Sequence, residues 1–130
     1  MRREAEDWWK QALADLEAAE KVAQAGVYYL SVFQSHQAAE KALKALHLEK
    51  RRALPPPTHN LFRLAEAVGA PQSLHGALEE LNPEFLATRY PDAANGVPAE
   101  AFSERSAQVH LAAAREVVEW VREQLSRTSE

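Results

Sequence analysis

A chain of 130 residues that is 46% hydrophobic and 26% charged has room for one hydrophobic core, so we expect a single domain over residues 1–130. The formal net charge of -4 argues against general electrostatic attachment to nucleic acid, although a local basic patch remains compatible with binding it. The absence of cysteine excludes disulfides and thiolate metal sites. Because no apolar run approaches the roughly 18 residues of a membrane span and no signal-peptide pattern follows the charged start, we expect a cytoplasmic protein.

The first predicted helix covers residues 3–25 and has one apolar side. Its inward-facing residues share helical spacing: Trp9, Ala12, Leu13, Leu16, Ala19 and Ala23. Gly26 ends this helix, because glycine readily adopts the left-handed conformation that often follows a helix C-terminus. The connection after it is so short that the next helix must return antiparallel to the first.

A second helix over residues 28–49 is the element around which the chain is organised, and no glycine or proline interrupts it. One stripe of it is a seam of mostly large residues: Tyr29, Val32, His36, Ala39, Leu43 and Leu46. The stripe beside it is mostly small, which lets a neighbouring helix approach closely: Tyr28, Ser31, Ser35, Ala38, Ala42 and Ala45. The third stripe is polar apart from Phe33. This distribution predicts a central position in a helical bundle.

Two short helices follow the central one. Three prolines at positions 55–57 end the central helix, since proline cannot continue one. Thr58 is the expected N-cap of a short helix over residues 59–68. Another helix begins at residues 70–73 and is broken or kinked at Asn82-Pro83.

The third long helix covers residues 99–125, after an irregular segment over residues 87–98. Its inner side is apolar and includes one histidine, His110. No stretch of the sequence shows a clear period-2 alternation. We therefore predict an all-α fold: an antiparallel up-and-down bundle of three long helices plus two short ones.

Three motifs occur in a characteristic order. The run from Phe33 to Leu46, His36-Gln37-Ala38-Ala39-Glu40-Lys41 included, resembles the central helix of HEPN domains (higher eukaryotes and prokaryotes nucleotide-binding). Thr58-His59-Asn60-Leu61 resembles the family's Thr-His-Asp-Leu, and Arg89-Tyr90-Pro91-Asp92 its Arg-Tyr-Pro-Asp loop. The resemblance implies a small α-helical bundle, usually a homodimer, often encoded beside a minimal nucleotidyltransferase that is a possible partner. It also implies nucleotide or RNA binding, and some relatives are ribonucleases of toxin–antitoxin systems.

A polar patch on the central helix consists of Gln37, Glu40, Lys41 and Lys44. On one interpretation it is a solvated face with Glu40–Lys44 and Gln37–Lys41 pairs at i,i+4 spacing. On the other it is half covered, and a half-covered carboxylate must find a partner. We hypothesise that Glu40 binds a group from the loop around Arg89 and that the two lysines face a groove suited to phosphate.

Two histidines and one loop are further candidates. His36 lies in the large seam and is expected to be a hydrogen-bonded core residue. His59 is either a structural lock on the central helix or a site residue. Arg89 and Asp92 form a local ion pair with Tyr90 as a lid, or Arg89 contacts phosphate while Tyr90 stacks on a base.

Arg105 and His110 fit the Arg-x(4–6)-His spacing of HEPN ribonucleases, in which the arginine steadies phosphate and the histidine performs metal-independent acid–base chemistry on a 2′-hydroxyl. Active relatives often continue His-x-Tyr, whereas residue 112 here is alanine. Residues five apart on a helix point about 140° from one another, so both reach one phosphate only at a special junction or a dimer cleft. The alternative is a core-facing His110 and an exposed Arg105.

The leading hypothesis is a binding module: a dimeric partner of a nucleotidyltransferase that engages nucleotide or RNA near Lys41, Lys44 and Arg89. Trp8 or Trp120 is the expected anchor of the dimer, since large aromatic side chains often anchor interfaces. The alternatives are a ribonuclease using Arg105 and His110, and a structural dimerisation adaptor. Because the 5 histidines lack metal-ligand spacing, we expect no metal and no cofactor.

Overall fold

The computed structural model describes residues 1–128, and every regular element in that range is helical. The three long helices are α1 (Arg3–Gln24), α2 (Tyr28–Arg51) and α8 (Glu104–Thr128). Between α2 and α8 lie α3 (Leu61–Ala67), a 3-10 turn (Gln72–Leu74), α4 (His75–Leu81), α5 (Glu84–Ala87), α6 (Pro91–Ala94) and α7 (Pro98–Ala101). The predicted all-α bundle of three long helices is confirmed, with three additional one-turn helices.

α2 occupies the centre of the bundle, as its two apolar stripes predicted. It packs most extensively against α1 and next against α8. The small residues Ala38, Ala42 and Ala45 are fully buried, and Ser31 Oγ donates a 2.8 Å hydrogen bond to the carbonyl of Ala19 on α1. A stripe without bulky side chains therefore lets α1 and α2 pack closely along their length.

The directions of the three long helices follow from the connections. Gly26 adopts a φ of +83° and ends α1 as predicted, so α2 returns antiparallel to α1. Arg115 on α8 pairs with Glu20 and Arg122 lies over the ring of Trp9, so α8 also runs antiparallel to α1. Because α8 is consequently parallel to α2, the segment between them must carry the chain back along the bundle.

Four predicted boundaries are corrected. Asn60, not Thr58, caps the first short helix: its Oδ1 accepts hydrogen bonds from the amides of Phe62 (2.9 Å) and Arg63 (3.3 Å). α2 extends two residues further than predicted, to Arg51. The segment 87–98, predicted to be irregular, contains α6 and begins α7.

The last boundary concerns the third long helix, which is interrupted near its predicted start. Phe102 has extended backbone angles, and α8 begins only at Glu104. Ser103 explains the new start, because its Oγ accepts a hydrogen bond from the amide of Ser106. Among the described helices, none combines the length and the apolar character needed to cross a bilayer.

Candidate functional site around Phe85

A buried carboxylate on α2 organises one end of the site. Glu40 is only 3% exposed. Its Oε2 accepts a 3.0 Å hydrogen bond from Lys44 Nζ, one turn along the same helix. Its Oε1 lies 3.0 Å from Nδ1 of His59, which the proline run brings back alongside α2. A buried carboxylate needs such partners, and the predicted hydrogen bond from His59 to the central helix is present.

The aromatic ring of Phe85 on α5 is the centre of the site. The imidazole of His59 stacks on it with ring centres 3.9 Å apart and planes inclined by 15°. The Cζ of Arg89 lies 4.1 Å from the same ring centre, and Arg89 Nε donates to the carbonyl of Phe85 at 2.9 Å. Two groups this close cannot share a face, so His59 and Arg89 sandwich the ring from opposite sides.

Arg89 borders an open groove of about 440 Å³. Its lining is mainly apolar: Tyr29, Leu30, Phe33, Thr88, Val97, Pro98 and Ala99. The guanidinium also lies 5.6 Å from the ring centre of Phe33 and 4.9 Å from that of Tyr90. Within residues 1–128 it forms no ion pair with a carboxylate, so its charge is available to a ligand.

The Arg-Tyr-Pro-Asp loop does not form the contacts of the first interpretation, in which Arg89 pairs with Asp92 and Tyr90 covers the core. Arg89 is held by rings and a backbone carbonyl, and the expected ion pair with Asp92 does not form in the part of the chain that is described. Asp92 lies exposed in the first turn of α6. Tyr90 is 45% exposed, because Pro91 holds it extended before α6, and is not a lid on the core.

His36 is fully buried between the polar cluster and Phe85, whose ring centre is 5.6 Å away. Burial lowers the pKa of His36 from 6.5 to about 4, although the nearby charge of Glu40 and the carbonyl of His59 favour the protonated form. His36 is therefore neutral at pH 7. Its Nε2 meets no acceptor among residues 1–128 in hydrogen-bond geometry. It is a core histidine, as predicted, but an incompletely satisfied one.

Both lysines of the predicted patch already have partners, and the predicted Glu40–Lys44 and Gln37–Lys41 pairs are present. Lys41 pairs with Asp15 on α1, which is nearly buried and needs a counter-charge, and Gln37 Oε1 lies 3.4 Å from the same ammonium. Lys44 binds Glu40 and lies 5.4 Å from the ring centre of Trp8. The structure thus corrects two expectations: Glu40 meets His59 and not the Arg89 loop, and the lysine ammoniums do not border the groove of Arg89.

The second His–Glu pair involves the histidine of the ribonuclease hypothesis. Buried His110 donates from Nδ1 to the carbonyl of Ser106 (2.6 Å), and its Nε2 lies 2.9 Å from Oε2 of Glu84. Burial alone would lower its pKa, but these hydrogen bonds and the charges of Glu84 and Glu80 raise the pKa of His110 above its ordinary value.

Both ring nitrogens of His110 are thus occupied, and no nitrogen is free for acid–base chemistry in this conformation. Arg105 is exposed on the first turn of α8, away from His110. The structure does not bring the two residues together, and the core-facing His110 with an exposed Arg105 matches the second of the two interpretations.

Two important residues were not singled out from the sequence. Glu84 and Phe85 follow the Asn82-Pro83 break, and both lie on a single-turn helix whose contacts come from distant segments. The one local signal is that Phe85 and Arg89 are four residues apart, a spacing that allows an aromatic and a cationic side chain to meet across one turn. Within residues 1–128, no group of three or more His, Cys, Asp or Glu residues is placed to hold a metal ion.

The helical bundle and the order of the three motifs define a class of small α-helical domains. The sequence profile described as the HEPN domain matches residues 5–124, and the chain belongs to the HEPN family. Two solved structures are similar over 95% of this chain at 34% identity. They are TT1696 from Thermus thermophilus (TM-score 0.85, 99% of that chain) and ST0689, an archaeal HEPN homologue (TM-score 0.81, 98% of that chain). Among curated proteins, none matches.

Proposed function

We propose that this chain is a nucleotide- or RNA-binding module and that its binding surface is the groove bordered by Arg89. The observation that carries the proposal is the environment of the Arg89 guanidinium, which is exposed, has no carboxylate partner within residues 1–128 and is held by aromatic rings. An arginine of this kind binds phosphate through its fork of donors. The adjacent aromatic side chains offer stacking surfaces for bases.

The neighbouring residues support the same assignment. Tyr90 and Val97 are exposed beside the guanidinium, and Tyr29 and Phe33 line the groove. Stacking of a base on an aromatic side chain contributes about 1–3 kcal/mol and tolerates any base. Lys41 and Lys44 contribute less to this surface than the sequence suggested, because each already compensates a carboxylate.

The test is the affinity for short single-stranded RNA, measured by fluorescence anisotropy at low and at physiological salt. We expect Arg89→Gln to weaken binding about tenfold, which is roughly 1.4 kcal/mol. Arg122→Gln is a matched control, since Arg122 is also exposed and lies over an aromatic ring, that of Trp9, outside the groove. Equal affinities for the wild type and Arg89→Gln would exclude the groove as the binding surface.

The proposal includes the two protein partners that the family resemblance implies. The module forms a homodimer and pairs with a minimal nucleotidyltransferase, as in a toxin–antitoxin pair of the cytoplasm. Leu86 and Val97, each 51% exposed, support an interface near the groove, whereas Trp120 packs against the core and is a weaker anchor than expected. Light scattering after size-exclusion chromatography tests the dimer, and copurification with an adjacently encoded nucleotidyltransferase tests the second partner.

A further inference from the structure

A second pocket lies on the other side of α5 from the groove of Arg89. It is open, has a volume of about 290 Å³ and contains no carboxylate in its lining: Thr58, His59, Asn60, Asn82, Pro83, Phe85 and Leu86. The exposed edge of His59 belongs to it. Its polar residues come from two segments, the loop before α3 and the break before α5, which the fold brings together.

The side-chain oxygens of this pocket are already used by the backbone. Thr58 Oγ1 accepts from the amide of Asn60 (3.0 Å), and Asn60 Oδ1 accepts from the amide of Phe62. Asn82 Oδ1 accepts from the amide of Leu61 at 2.8 Å. These bonds fix the orientation of both amides, so that the groups left for a ligand are N–H and O–H donors. A pocket lined by uncharged donors suits a ligand rich in acceptor oxygens.

His59 adds a proton-carrying group to these donors. The carboxylate of Glu40 pairs with the Lys44 ammonium through Oε2, and carboxylate oxygens accept hydrogen bonds, so His59 Nδ1 is the donor of the 3.0 Å bond to Oε1. Nε2 is then the free nitrogen, on a side chain that is 54% exposed. With Nδ1 held by the carboxylate, Nε2 is the ring nitrogen that donates to an anion when both nitrogens carry a proton.

We propose that this pocket is a subsite for a phosphate monoester, bound by His59 Nε2–H together with the donors of Thr58, Asn60 and Asn82. This subsite rests on the proposed function, because its ligand is taken to be a nucleotide or the phosphorylated end of a nucleic acid. The distance to the groove fits one extended ligand: the ring centre of His59 and Cζ of Arg89 lie at most 8.0 Å apart, because each is stacked on Phe85. The pocket holds the terminal phosphate while Arg89 contacts the neighbouring part of the ligand.

The first test follows the imidazole resonances by NMR during titration of the wild-type protein with inorganic phosphate, AMP and adenosine. We expect phosphate and AMP to shift the His59 signals and adenosine to leave them unchanged. His75 is the internal control, since it is also exposed, near a carboxylate (Glu79, 3.4 Å) and close to an aromatic ring, but outside the pocket. His59 shifts no larger than those of His75 at saturating phosphate would overturn the proposal.

Asn60→Asp is the sharpest variant, because an aspartate keeps the two cap hydrogen bonds and places a negative charge in the pocket. We expect Asn60→Asp and His59→Gln each to weaken binding of AMP about tenfold or more. His75→Gln should remain within about twofold of the wild type. Unchanged AMP affinity in Asn60→Asp, with circular dichroism showing the native fold, would contradict the subsite.

Two further comparisons separate this subsite from the groove. RNA with a 5′-phosphate should bind more tightly than the same RNA with a 5′-hydroxyl, and Asn60→Asp should remove that difference. If phosphate and AMP both shift His59 but the two RNAs bind equally, the ligand of the subsite is a free nucleotide. Arg89→Gln should lower the affinity for both RNAs and retain the phosphate-induced shift of His59. If Arg89→Gln binds both RNAs as tightly as the wild type while phosphate still shifts His59, the groove is contradicted and the subsite is supported.

Discussion

The molecule contains two histidine–glutamate pairs that differ in what their geometry leaves free. In one, Glu40 is buried and His59 is half exposed, with one ring nitrogen bound and the other open. In the other, both His110 and Glu84 are buried, and both nitrogens of His110 are used. The comparison teaches that the same two residue types form a potential site or a structural lock, depending on whether the second nitrogen reaches solvent.

Removing the histidine of the closed pair should have the largest effect. His110→Ala leaves the carboxylate of Glu84 buried without its partner, which typically costs about 3–5 kcal/mol of unfolding free energy. His59→Ala should cost about 1 kcal/mol, because Glu40 retains Lys44 and the lost ring is half exposed. Urea denaturation measures both values, with Val109→Ala as a control on the exposed side of α8.

Comparable losses of unfolding free energy in His110→Ala and His59→Ala would show that the two pairs are energetically equivalent and contradict this prediction. A double-mutant cycle sharpens the result. His110→Ala combined with Glu84→Ala should be less destabilised than the sum of the single variants, since the second change removes the unpaired carboxylate.

The third histidine, His36, provides the next largest effect. Its pKa in the folded protein is about 4, against an ordinary value of 6.5, so between these pH values the unfolded chain binds a proton that the folded chain does not. Stability is therefore lost as pH falls from 6.5 to 4, by about 3 kcal/mol at pH 4. His36→Met should remove this part of the acid sensitivity in urea denaturation at pH 7 and pH 4.5, whereas His75→Gln should not.

A smaller effect is expected from substituting Phe85, whose ring lies between His59 and Arg89. Phe85→Leu keeps an apolar side chain but removes the stacking surface for His59 and Arg89, at a cost of about 1 kcal/mol. RNA affinity should fall together with stability, since the side chains of His59 and Arg89 both lose the ring that holds them. Thermal denaturation and anisotropy on the same samples check this, and full retention of RNA affinity would contradict the role given to Phe85.

The smallest expected effect is a decline in the free energy of unfolding as the pH rises above 6.5. Because the pKa of His110 is raised in the folded state, its stabilising contribution is complete below pH 6.5 and is lost as pH rises through the folded pKa. The free energy of unfolding of the wild type should decline over this range, and that of His110→Gln should decline less. Identical slopes for the two proteins would show that His110 is not protonated when buried.

The sequence predicted the framework well because its signals are local. Helical periodicity placed α1, α2 and α8, and the small stripe of α2 predicted the close approach of α1. The core position of His36 followed from the same periodicity. The bond from His59 to the central helix was predicted from the proline stop and the position of His59 just beyond it.

The parts that sequence reasoning missed depend on pairs distant in the chain. Lys41 is neutralised by Asp15, and Glu84 meets His110, each across 26 positions that no helical spacing connects. Thr58 and Asn60 are both good caps, and only the conformation of the loop decides between them. Phe85 was not singled out, because a one-turn helix shows no periodicity.

The parallel arrangement of α2 and α8 has a consequence for local opening. The segment 52–103 that returns the chain carries Arg89 and all residues of the second pocket, and its one-turn helices α5, α6 and α7 are too short to be stable without their side-chain contacts. Amide protons in segment 52–103 should exchange with solvent well before those of the three long helices. Ligand binding would then slow amide exchange in segment 52–103 only, while the exchange rates of the three long helices stay unchanged.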